Sequence, residues 1–263
     1  MLWGAIIGDI VGSIYEFNNI KTKDFPFLDG HGFITDDSVM TIAVAQALLN
    51  SKINKSDLQT ETIKSMQELG RRYPNSGYGF RFARWLQAEN PEPVDSWGNG
   101  AAMRVSACGY VGTTLSDVKR LSYLVTSVSH DHIEGIKGAE ATAVAVFMAR
   151  MGATKDEISR HIIKDYYDLC FDVDYLQQNY GWDGSCQGTV PQALECFIES
   201  ESYEDAIRNA ISIGGDSDTI GAITGAVAEA YYGVPDWMRD AARKYIPDDL
   251  YEIMMRFENE IYA

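Results

Sequence analysis

Two short acidic clusters, Thr35-Asp36-Asp37-Ser38 and Asp216-Ser217-Asp218-Thr219, stand far apart in a chain of 263 residues. Each sets two carboxylates and a hydroxyl at the start of an apolar-periodic stretch, and Gly214-Gly215 leads into the second. Carboxylate and hydroxyl oxygens are hard ligands, suited to Mg²⁺, Mn²⁺ or Ca²⁺ rather than zinc or copper. Either cluster alone reads as helix capping, because Thr, Ser and Asp satisfy the free N–H groups and the dipole of a first turn. As a matched pair they point further. Four carboxylates in one small volume repel one another and need cations between them. An EF-hand is excluded, since no Asp-x-Asp-x-Asp-Gly loop with a closing Glu is present.

Three other segments carry candidate chemistry. Glu16, expected at the end of the first helix, could act as a general base or position a water. Gly98-Asn99-Gly100 is expected to open a small-residue helix and to present free backbone N–H groups to an anion. His130, in Ser129-His130-Asp131-His132, precedes a strongly apolar segment. Tyr78 to Trp85 interleaves aromatics with Arg81 and Arg84, a pattern read here as core packing with the arginines snorkelling outward.

The elements that must position these residues are helical. Ile6, Ile7, Ile10, Val11 and Ile14 recur at intervals of three and four, as do Ile220, Ile223, Val227 and Tyr231. The stretch from Glu134 to Arg150 is apolar on most faces and is expected to be a buried central helix. Breakers at Pro26, Pro74, Asn90-Pro91, Gly152, Gly181 to Gly184 and Gly233-Val234-Pro235 divide the chain into roughly a dozen helices. Alternating strand patterns, βαβ units and long linkers are missing, so residues 1–263 are expected to form a single all-α domain. Gly4, Gly8 and Gly12 make one stripe and Gly221 and Gly225 another, which would let two helices approach closely beside the acidic clusters.

Composition narrows the partners. With 22 basic against 38 acidic residues the net charge is −16, which argues against nucleic-acid or anionic-lipid binding. An anionic substrate would need local compensation from metals, helix N-termini or a placed arginine. Cys108, Cys170, Cys186 and Cys196 form no Cys-x-x-Cys pair and no zinc-like spacing, so reduced thiols and a cytoplasmic setting are expected. The apolar start lacks a basic region and meets Asp9 early, so it does not read as a signal peptide, and no run suits a membrane span.

Taken in order, several motifs resemble the ADP-ribosylglycohydrolase family, the group of dinitrogenase reductase-activating glycohydrolases and ADP-ribosyl-acceptor hydrolases. They are Gly4-Ala5-Ile6-Ile7-Gly8-Asp9 with Glu16, Thr35-Asp36-Asp37, Gly98-Asn99-Gly100-Ala101-Ala102-Met103-Arg104, Ser129-His130, Gln187-Gly188-Thr189-Val190-Pro191 and Gly214-Gly215-Asp216-Ser217-Asp218-Thr219. The resemblance implies an all-α orthogonal helical bundle around a binuclear centre of two divalent cations, Mg²⁺ or Mn²⁺. It implies Thr35, Asp36, Asp37, Asp216, Asp218 and Thr219 as metal ligands, with Glu16 near the metals to help place the ribose or the attacking water. Of the carboxylates that could take the water's proton (Asp36, Asp37, Asp216 and Glu16), Asp36 or Glu16 is expected to be the catalytic base. Gly98, Asn99, Gly100 and His130 would bind the substrate. The implied reaction is hydrolysis of the N- or O-glycosidic bond joining ADP-ribose to an ADP-ribosylated protein or an ADP-ribosyl small molecule. A non-catalytic ADP-ribose-binding protein and a metal-dependent phosphohydrolase are the alternatives.

Overall fold

A computed structural model describes residues 1–52 and 54–262, with side chains through 261. Fourteen α-helices make up the described chain. The first four are α1 (Trp3–Gly12), α2 (Asp36–Asn50), α3 (Leu58–Arg72) and α4 (Phe80–Gln87). The middle of the chain forms α5 (Ser106–Val111), α6 (Leu115–Thr126), α7 (Ile133–Arg150), α8 (Lys155–Asp165) and α9 (Val173–Asn179). The last five are α10 (Cys186–Ile198), α11 (Tyr203–Ser212), α12 (Ser217–Tyr232), α13 (Asp236–Ala242) and α14 (Asp248–Tyr262). No β-strand occurs among the described residues; one isolated bridge joins Gly98 to Ser185. The expected all-α architecture is therefore observed, and all four cysteines are free thiols.

Four helices run through the centre. Every residue of α1 is buried, and α2, α7 and α12 are buried over most of their lengths. The periodic stretch expected from Glu134 is α7, which begins one residue earlier. His132 caps it, its Nδ1 accepting from the Glu134 N–H at 3.1 Å. One continuous cluster of apolar side chains links these helices to those packed around them.

The glycine stripes meet, and they meet at the site. A Cβ on Gly4 would overlap the Gly225 carbonyl, one on Gly8 the Gly221 carbonyl, and one on Gly12 the Ser217 carbonyl. Backbone thus lies against backbone along the whole α1–α12 seam. At its far end Glu229 of α12 accepts from the Gly4 N–H at 2.8 Å, and the Tyr203 hydroxyl donates to the Gly4 carbonyl at 2.9 Å. Two helices held this tightly bring Asp9 and the start of α12 into one small volume.

Two local expectations are corrected. Glu16 does not end the first helix: α1 stops at Gly12, where the Ser13 hydroxyl folds back onto the Ile10 carbonyl at 2.9 Å and the chain turns. Nor does Gly98-Asn99-Gly100 open an α-helix. Asn99–Ala101 is a single 3₁₀ turn, and α5 starts only at Ser106.

Candidate active site

The two acidic clusters converge at helix starts. Thr35 caps α2, its hydroxyl accepting from the Asp37 N–H at 3.3 Å. Asp216 stands at the N-cap of α12, placed there by Gly214 and Gly215, whose φ angles of +68° and +82° favour glycine. The turn carrying Glu16 is tied to this pair. The Asn19 amide accepts from the Gly215 N–H at 2.8 Å, and donates to the Gly215 carbonyl at 2.9 Å and the Glu16 carbonyl at 3.0 Å.

Carboxylate oxygens of Asp9, Asp37 and Asp218 lie within 4.8 Å of one another, as do those of Glu16, Asp216 and Asp218. Asp218 belongs to both groups. Thr35 and Thr219 converge on Asp37: the Thr219 hydroxyl donates to its Oδ2 at 3.2 Å, and the Thr35 hydroxyl oxygen, whose hydrogen goes to Asp9, lies 3.3 Å from the same atom. Asp36 lines the same cleft from a half-buried position, its backbone N–H held by the Ser76 carbonyl at 2.7 Å. Asp36 belongs to neither group of converging oxygens.

Asp9 is the member that the sequence reading left out of its site residues. Its carboxylate accepts from the Thr35 N–H at 2.9 Å, the Thr35 hydroxyl at 2.8 Å, the Ser38 N–H at 3.1 Å and the Ser38 hydroxyl. In effect α1 caps the N-terminus of α2 from outside, and the positive end of that helix favours the charge. The signal was present: a lone carboxylate in an otherwise apolar ten-residue helix, directly after a stripe glycine.

The site's electrostatics call for positive charge. Burial, then repulsion from Asp218, raises Asp9 and Glu16 to about 7. The same two causes, in the same order, hold Asp36, Asp37 and Asp216 well above the ordinary carboxylate range. Asp37 Oδ1 is buried with no hydrogen-bond partner among the described residues, an arrangement that is costly unless something binds there. An all-oxygen donor set with an orphaned carboxylate oxygen and mutual repulsion fits hard divalent cations.

This predicts how metal-free protein responds to pH. Groups whose folded-state pKa is raised hold protons that the unfolded chain releases, so stability falls as pH rises through the window from about 4 to about 7. Metal-free protein should therefore melt higher at pH 6 than at pH 8. Mg²⁺ or Mn²⁺ should raise the melting temperature more at pH 8, where fewer protons compete. Scanning calorimetry at the two pH values, with and without metal, checks both; an equal metal effect at both would count against a carboxylate site.

Above the clusters lies a cleft of about 660 Å³, within the usual range for a small-molecule site. Gly98, Asn99, Gly100 and His130 line it together with Thr35, Asp36, Asp37, Asp216, Asp218, Thr219 and Glu16. The Asn99 amide is already engaged, donating to Asp216 at 2.6 Å and to the Thr189 hydroxyl at 3.1 Å. It steadies Asp216. The Thr189 hydroxyl in turn donates to the Asp183 carbonyl at 2.9 Å.

The cleft mouth carries aromatic side chains. Phe17, Phe33, Phe80 and Trp182 line it and are 80%, 53%, 78% and 60% exposed. Phe80 thus departs from the core packing expected of the Tyr78–Trp85 segment, because α4 turns that residue outward. Phe82 keeps to the expectation, stacking on Trp85 with ring centres 5.3 Å apart. Phe17, Phe33 and Trp182 lie on loops with no periodic signal, and sequence pattern alone gave no reason to single them out.

Comparison with known proteins agrees with this fold. Human ADP-ribosylhydrolase ARH3 is 24% identical over 95% of this chain and 90% of its own length. An uncharacterized protein of Archaeoglobus fulgidus is 27% identical over 96% and 95%. ADP-ribosylarginine hydrolase Tri1 of Pseudomonas putida is 26% identical over 92% and 73%. A solved structure described as an ADP-ribosylglycohydrolase-related protein complex shares the fold, with a TM-score of 0.65 at 23% identity over 93% of this chain and 97% of that one. The profile of the ADP-ribosylglycohydrolase family matches residues 1–263, and the chain belongs to that family of enzymes.

Proposed function

We propose that the protein is a metal-dependent hydrolase that cleaves the N- or O-glycosidic bond between ADP-ribose and an acceptor, reversing mono-ADP-ribosylation. The observation that carries this reading is the pair of carboxylate groups sharing Asp218 at the floor of a cleft walled by the Gly98–Gly100 turn and His130. Relatives named ADP-ribosylhydrolase and ADP-ribosylarginine hydrolase support the substrate class.

Thr35, Asp36, Asp37, Asp216, Asp218 and Thr219 would hold two Mg²⁺ or Mn²⁺ ions, with Asp9 bracing the start of α2. Bound there, the ions would supply Lewis acidity toward ribose hydroxyls and water. Rupture of the bond at the anomeric carbon builds positive oxocarbenium character, which the surrounding carboxylates stabilise. Glu16 is half-buried at the cleft, and its carboxylate has no hydrogen-bond partner among the described residues, so it is free to accept a proton from the attacking water. Asp36 is the other candidate for that role. The Gly98–Gly100 wall and His130 face the diphosphate, and the aromatic mouth offers π-faces to the adenine while excluding water.

A panel of mono-ADP-ribosylated peptides and small molecules, differing only in acceptor linkage and assayed with Mg²⁺, Mn²⁺ or EDTA, tests the reading. Free ADP-ribose should appear from at least one linkage and cease with EDTA. Tight ADP-ribose binding without turnover would instead make the protein a binder, and release of phosphate a phosphohydrolase.

A further inference from the structure

The net charge of −16 leaves open how the cleft attracts a diphosphate. The glycine turn answers only in part, because the Gly98 N–H already donates to Ser96 Oγ at 3.2 Å and the Asn99 N–H to the Gly184 carbonyl at 2.9 Å. A placed arginine was the remaining possibility, and two line the cleft: Arg81, exposed to solvent, and Arg104, buried in the wall. Arg104 is 0% exposed, and its Nε and Nη1 have no hydrogen-bond partner among the described residues. Its partners are the Ser129 hydroxyl at 2.6 Å, His130 Nδ1 at 3.2 Å and the Phe82 ring, whose centre lies 5.3 Å from the guanidinium carbon. None of these carries negative charge.

The donors in this chain run one way. Arginine has no lone pair to offer, so His130 Nδ1 must accept. Ser129 Oγ, accepting a hydrogen bond from Arg104 Nη2, turns its own hydrogen to the same Nδ1 at 2.9 Å. The ring proton then resides on Nε2. That nitrogen faces the turn: Cβ atoms placed on Gly98 and Gly100 would stand 3.8 and 3.6 Å from it. Burial first, and the neighbouring guanidinium second, hold the imidazole well below its ordinary pKa, so the ring is neutral.

We propose that Arg104 is a positioning residue for the diphosphate: through Ser129 it locks His130 as a neutral imidazole whose Nε2–H is aimed at the Gly98–Gly100 wall. The inference rests on reading the cleft as an ADP-ribose site. Its first test needs neither a variant nor a ligand. Nitrogen-15 NMR of the His130 ring should show a bare Nδ1 and a protonated Nε2 at pH 7. An Nδ1–H tautomer or a doubly protonated ring overturns the proposal, whatever the cleft binds.

The second test is a double-mutant cycle, titrating ADP-ribose calorimetrically in saturating Mg²⁺. Arg104→Met and His130→Ala should each weaken binding about tenfold, the scale of one lost hydrogen bond to a charged group. The double variant should bind no more weakly than His130→Ala, since Arg104 acts through that ring; additive losses overturn the proposal. Failure of the parent protein to bind ADP-ribose would refute the functional reading instead, and the NMR result would still decide the tautomer. It also decides should Arg104→Met not fold.

Discussion

Asp218→Asn should lower turnover by at least about 10³-fold while raising, not lowering, the melting temperature of the metal-free protein. The loss follows from its membership of both carboxylate groups, so that one substitution disturbs both of them. Metal assistance is worth several kcal/mol, and each 1.36 kcal/mol is a factor of ten. The gain in stability has a separate cause. Repulsion from Asp218 follows burial as the second cause raising Asp9, Glu16, Asp36, Asp37 and Asp216. An amide removes that charge yet keeps an oxygen to accept from the Thr219 N–H, now 2.9 Å from Asp218 Oδ1. Each kcal/mol relieved corresponds to roughly 2–4 °C at this size. Steady-state assays and calorimetry with and without Mg²⁺ decide it. A variant that kept its turnover, or that lost turnover and metal-free stability together, would show Asp218 to be structural.

Gly8→Ala should destabilise the fold by about 3 kcal/mol or more, although it adds a single methyl group. The new Cβ would overlap the Gly221 carbonyl, and the opposing Gly221 has its own Cβ position only 2.5 Å from the Gly8 carbonyl oxygen. Neither neighbour is a side chain that can rotate away, so α1 and α12 must separate. Separation moves Asp9 from Asp218 and should remove activity as well. Gly181→Ala is the control, because nothing lies within 4 Å of its Cβ position; it should stay within about 0.5 kcal/mol of the parent. Urea unfolding of both variants gives the comparison. If Gly8→Ala unfolded like Gly181→Ala, close approach of the two backbones would not be what holds the site together.

Much of this protein is legible in the residue order. Period-three-and-four apolar positions specified helices at α1, α7 and α12, because each buries its face in a shared core. Breaker placement marked the turns between helices for the same local reason: proline and glycine act within a residue or two of themselves. The acidic clusters could be read as a pair because Thr, Asp and Gly carry both capping and ligating chemistry on their own atoms.

Other features depend on contacts between distant segments. The end of α1 at Gly12, and hence the place of Glu16 in a turn pinned by Asn19 to Gly215, reflects a hydrogen-bond set spanning most of the chain. Asp9 read as part of a motif, but its role emerges only where α1 meets the start of α2. The aromatic mouth of the cleft draws on three separate loops and a helix start, whose residues have no mutual spacing in sequence. By itself the sequence determined the helical architecture, the paired acidic clusters and the glycine stripes, since these arise from local periodicity and side-chain chemistry. Tertiary structure alone decided that the stripes face each other, that Asp218 joins two groups of carboxylates, and that a buried arginine stands behind His130. Those depend on which faces pack together, and packing is a property of the whole core rather than of any one segment.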